Sequence, residues 1–154
     1  MKLFGHPAHA ISVHLPIGLL GAVPLCDLVA VFGGGSPWWT IAYGCLLLGN
    51  LTAVVAVATG LADYAALTEH TARVANRHLG WMLAAVALYL TSLLWRGGPA
   101  VPSGAAHIGA PVISALGAIL LAVGGWYGGH LVYDHGVGVR PPGGEADRER
   151  PPSE

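Results

Sequence analysis

The sequence predicts an all-α integral membrane protein, a four-helix up-down-up-down bundle. Three observations predict it. Only 10% of the 154 residues are charged, against roughly 25% in soluble domains. Hydrophobic residues make up 54%, which places the chain among membrane proteins. The apolar residues gather in four long runs with no alternating pattern, and in lipid only helices and closed barrels satisfy their own backbone, so each run reads as a helix.

A span needs roughly 20 residues, and each run meets that in turn. The first covers about 10–32 and is broken only by His14 and Asp27. The second, about 38–62, carries no charge. The apolar part of the third starts near Leu79, so reaching span length takes it back to about 75, giving 75–95; the fourth covers about 108–133. Gly33, Gly34, Gly35, Ser36 and Pro37 form a turn, with Trp38 and Trp39 at an interface. Asp63 to His78 reads as a polar, partly helical loop, and residues 97–104 as a flexible one. The tail, 140–154, is Pro, Gly and charge and reads as disordered. Short loops between successive helices favour antiparallel neighbours.

Four spans put Lys2, Arg73, Arg77, Arg140, Arg148 and Arg150 on one side and only Arg96 on the other. Basic residues favour the cytoplasm, so the expected setting is the cell inner membrane, multi-pass, with both termini cytoplasmic. No cleavable signal is evident, because the first run lacks a basic leader and carries Pro16 and Pro24. A net charge of −1 without a basic stripe excludes a nucleic-acid partner. Cys26 and Cys45 lie in apolar runs and read as small buried hydrophobes.

Seven of the eight histidines fall at the cytoplasmic end in this topology: His6, His9, His14, His70, His78, His130 and His135. Ionisable residues at membrane depth are costly and are usually functional. His14 lies within the first span, with Gly18 and Gly21 on its face. His78 starts the third span. His130 and His135 are five apart, roughly 140° around a helix, so only one of them points inward. His6 and His9, spaced i, i+3, form either a metal clip or a helix cap. Asp63 is expected to pair with Arg73, Arg77 or a histidine, and Asp134 to orient an imidazole. Asp27, near the far end of the first span, is expected to pair with a partner, to be protonated, or to reach the outer interface. Gly117, Gly124 and Gly128 make a small-residue stripe, read first as helix packing and second as room for a flat cofactor. Such glycine faces are also where a homo- or hetero-oligomer would form.

His6-Pro7, His9 and Val13-His14-Leu15-Pro16-Ile17-Gly18 resemble the opening signature of the bacterial membrane-protein family called domain of unknown function 2231. Gly60-Leu61-Ala62-Asp63-Tyr64 resembles its second-helix motif, His78 its third-helix histidine, and the segment Gly128 to Val139 its closing motif. Ala10 stands where the family pattern has proline. The resemblance implies a four-helix membrane protein, and relatives accompanied by iron–sulfur domains would fit redox work.

Three functions follow. In the first, one b-type haem is bound for electron transfer, ligated among His14, His78, His130 and His135, with Tyr64, Arg73 and Arg77 meeting its propionates and a quinone or membrane enzyme as redox partner. In the second, a divalent ion (zinc, copper or iron) is held among His6, His9, His14, His78, His135 and Asp63. In the third, the chain is a non-catalytic accessory subunit whose histidines form a hydrogen-bonded cluster. No motif of a stand-alone enzyme is present.

Overall fold

The computed structural model describes residues 2–3 and 6–139; the tail expected to be disordered lies outside them. A short antiparallel pair, β1 (Lys2–Leu3) and β2 (His6–Pro7), opens the chain, with Leu3 opposite His6. Helix α1 (Ala8–Ser12) leads through Val13 into α2 (His14–Val29). Then come α3 (Ser36–Tyr64), α4 (Glu69–Arg96) and α5 (Ala106–Tyr133). The segment from Ala8 to Gly33 and helices α3, α4 and α5 are each long and apolar enough to cross a membrane. The chain is thus an all-α membrane bundle.

Local chemistry sets the boundaries. After α2 a wide helical turn over Ala30–Gly34 breaks at Gly33 and Gly35, whose φ angles of 120° and 71° suit glycine. Pro37 then sits in the first turn of α3, where its missing N–H costs nothing. Helix α4 begins well before its apolar part. Thr68 is extended, Glu69 favours the helix start, and Ala72, Arg73, Ala75 and Arg77 are helix formers, so the polar segment continues the helix beyond the lipid-length run. The loop expected over Asp63–His78 shrinks to Ala65–Thr68.

Helices α2 and α3 pack together extensively, as do α4 and α5, and the two pairs meet where α2 touches α5 and α3 touches α4. Leu20, Val23, Leu46, Ala85, Tyr89, Leu93 and Leu121 form the core. Leu25, Leu51, Val54, Leu94 and Ile119 point outward, as lipid-facing residues should. Water cannot drive helices together inside a bilayer, so close approach through small residues does. Leu20 fills the space above Gly49, Tyr89 that above Gly117 and Met82 that above Gly124. These glycines serve packing. A Cβ at Gly49 would lie 2.6 Å from Leu20 Cδ2, and Leu20 is buried with nowhere to go. Gly49→Val is therefore expected to cost about 1–3 kcal/mol, read as a lowered midpoint of thermal unfolding in detergent. Gly18→Val, where a Cβ meets nothing within 4 Å, should stay within about 0.5 kcal/mol of the parent.

One polar group is built into this interior. Arg96, at the end of α4, donates from Nη1 to Asp27 Oδ1 at 2.7 Å and from Nη2 to Oδ2 at 2.5 Å. Ser114 Oγ donates to the same carboxylate at 2.6 Å. Ser92 Oγ donates to the Ala110 carbonyl at 2.8 Å, and the guanidinium lies 5.7 Å from the Trp39 ring centroid. Asp27, Ser92, Arg96 and Ser114 are all buried. This network ties α2, α4 and α5 together at the end of the bundle away from the N-terminus. Cys26 and Cys45 are free thiols.

Candidate functional site: a histidine pair between the first and third spans

The site starts from two rings on different helices. Pro7 holds an extended conformation before α1 (φ −61°, ψ 116°), and the short helix that follows packs on α3. His9 thereby meets the last third of α3. Its Nδ1–H donates to the Ala56 carbonyl at 2.9 Å, and Thr59 Oγ1 lies 3.4 Å from the same nitrogen. Ser12 Oγ is 2.9 Å from Thr59 Oγ1 and donates to the His9 carbonyl at 3.0 Å. Gly60 makes room for the ring, since a Cβ there would sit 2.9 Å from His9 Cε1.

His78 is held in the same way from the other side. Its Nδ1–H donates to the Gly124 carbonyl on α5 at 2.8 Å. A Cβ on Gly128 would lie 3.1 Å from His78 Cε1. The two imidazole centroids are 6.4 Å apart with planes at 82°, and both side chains are half-buried.

A carbonyl oxygen only accepts, so each bond fixes its proton on Nδ1 and leaves the lone pair on Nε2. Among the described residues no hydrogen bond engages Nε2 of either ring. An imidazole held at Nδ1 by a backbone carbonyl, with Nε2 free, is in the tautomer and orientation of a metal ligand.

The other candidates are placed elsewhere. His14 lies exposed on α2, 3.3 Å from the Ile11 carbonyl. His130 donates from Nδ1 to the Asp134 carboxylate, so Asp134 does orient an imidazole, though not that of its neighbour His135. His135 instead approaches His70, with centroids 5.5 Å apart, and Arg73 Nη2 donates to His70 Nδ1 at 3.2 Å. His6 is exposed on β2. Asp63 and Tyr64 are half-buried at the end of α3; Arg73 and Arg77 are exposed on the first turns of α4. Among the described residues no group of three or more His, Cys, Asp or Glu side chains is placed to hold a metal ion. His6, His9, His14, His78, His135 and Asp63 therefore do not assemble into one such centre.

Two features escaped the spacing argument. The first is His9 as the partner of His78. His9 and His14 are five positions apart, roughly 140° around a helix, so only one of them turns to α3, and spacing alone does not say which. The second is the Asp27–Arg96 pair, whose signal was present: they are the lone charges at the far end of the bundle.

Neither a curated protein nor a solved structure matches the chain. The sequence model of one family, described as "Predicted membrane protein (DUF2231)", matches residues 5–141, which takes in every element from β2 to α5 and both histidines of the pair. The chain belongs to this DUF2231 family of predicted membrane proteins.

Proposed function

We propose that the protein binds one b-type haem, which His9 and His78 would hold, and transfers electrons within the membrane. The observation that carries this reading is the pair itself. The two rings come from different helices, lie 6.4 Å apart between centroids and are each held at Nδ1 by a backbone carbonyl, a spacing that would let both Nε2 atoms reach one metal at about 2.0–2.1 Å. Ligand count favours haem over a bare divalent ion. A structural zinc site takes four protein donors and a catalytic one three, and no such group occurs among the described residues. Haem brings four nitrogens of its own and asks for one or two axial ligands. Gly60 and Gly128 support the fit, because only glycine leaves space behind each ring.

When bound, the haem supplies one-electron redox chemistry. The chain's own work is to hold two imidazoles at Nδ1 through the Ala56 and Gly124 carbonyls. Tyr64, Arg73 and Arg77, at the same end of the bundle, are the groups to meet propionates. The basic residues concentrate at this end, while Arg96 is neutralised inside the bundle; that asymmetry supports an inner-membrane setting with this end cytoplasmic.

The test is a visible spectrum of the protein purified in mild detergent, with and without dithionite, beside a metal determination. The expected result is a Soret band that shifts on reduction, with about one haem per chain. A stoichiometric divalent metal without that band would select the metal-site reading. Neither signal would leave an accessory subunit.

A further inference from the structure

Helix α5 carries a second polar group that the haem reading leaves unused. His130 and Asp134 lie one turn apart, joined from Nδ1–H to the carboxylate. Trp126 stands edge-on to the imidazole, with centroids 4.5 Å apart and planes at 88°. With Gly129 and Tyr133 these residues line a shallow groove. Trp126 is 62% exposed and Tyr133 88%, so the groove opens away from the bundle, toward lipid at the end of the span. Gly128, which touches His78, and His130 differ by two positions, roughly 200° around the helix. One face of α5 therefore meets the histidine pair while the opposite face carries the groove.

The chemistry of the groove is specific. A carboxylate only accepts, so Asp134 keeps a proton on His130 Nδ1; Nε2 accepts in the neutral ring and donates in the charged one, and a hydroxyl, which does both, pairs with either. The aromatic wall suits a flat ring. The carboxylate disfavours an anionic headgroup, and a carbonyl, which only accepts, pairs with just one of the two forms of the ring. What remains is a flat, lipid-soluble ring bearing a hydroxyl. We propose that this groove binds the ring of a hydroquinone-class lipid, its hydroxyl hydrogen-bonded to His130 Nε2 while Asp134 holds the imidazole. The proposal rests on the haem reading for its purpose, the supply of electrons, but not for the binding itself.

Anaerobic calorimetric titration of the detergent-purified full chain with a short-chain benzohydroquinone tests it. Saturable one-to-one binding is expected, together with a change in fluorescence that is lost in Trp126→Phe. His130→Ala and Asp134→Asn should each weaken binding about tenfold, the upper end of the value of one hydrogen bond, and the corresponding quinone should bind more weakly than the hydroquinone. The His130 variants should keep the Soret band, whereas His9→Ala and His78→Ala should lose it and still bind the hydroquinone, so the two readings fail separately. Absence of saturable binding, an affinity unchanged in both His130→Ala and His130→Gln, or equal competition by a soluble phosphocholine headgroup would overturn the assignment; the last would give the groove to a zwitterionic lipid.

Discussion

Replacing Asp27 by alanine is expected to destabilise the folded chain by about 3–5 kcal/mol, the largest effect of any single substitution here. The cost comes from what is left behind. Arg96 would keep its charge, because a guanidinium does not deprotonate, and it would lose both carboxylate bonds while its side chain stays about 1% exposed. Ser114 would lose its acceptor as well. Arg96→Leu should cost a comparable amount for the mirror reason, an uncompensated buried carboxylate. The double variant Asp27→Leu/Arg96→Leu should be much less damaging than the sum of the two, because removing both charges also removes their desolvation penalty. Reversible unfolding in mixed micelles with rising sodium dodecyl sulfate measures all three. Additive losses would mean that the two groups do not act as a pair.

Loss of either ring of the histidine pair is expected to abolish haem retention. In His78→Ala the Soret band should disappear from the purified protein, and the same should hold for His9→Ala. His14→Ala should keep the band at full strength, because that ring lies exposed on α2 and, among the described residues, bonds to its own turn alone. A weaker effect is expected for Gly60→Ala or Gly128→Ala. A Cβ at either position presses on the back of a ring at 2.9 or 3.1 Å, so the ring must tilt and the spectrum should shift rather than vanish. Full haem content in both His9→Ala and His78→Ala would remove the ligand assignment while leaving the fold untouched.

Much of the architecture was legible beforehand because it follows from the solvent. A bilayer demands unbroken runs of about 20 apolar residues and internally bonded backbone, so the four runs, their turns and the polar end rich in histidine read directly from residue order. Helix α4 exceeded its apolar run because Glu69 to Arg77 carries helix-forming residues that need no lipid. The candidate site was only half legible. His78 was singled out and is one of the paired rings. His14 was favoured over His9 because it lies deeper in the apolar run and shares a face with Gly18 and Gly21. The two rings stand roughly 140° apart around the helix, and the packing turns His9, not His14, toward α3.

The order of residues by itself determined that this protein lies in a membrane as a helical bundle, and that its imidazoles crowd one end. Periodicity and hydropathy are local properties, and they suffice for that. Which rings meet, which carbonyls hold them and that Arg96 turns inward to Asp27 were decided only by the packing of the helices. Those contacts join positions 69 residues apart for Asp27 and Arg96 and 46 apart for His78 and Gly124. Contacts at that separation depend on the rotation of each helix about its own axis, which glycine-sized gaps set through close packing and which no single segment encodes.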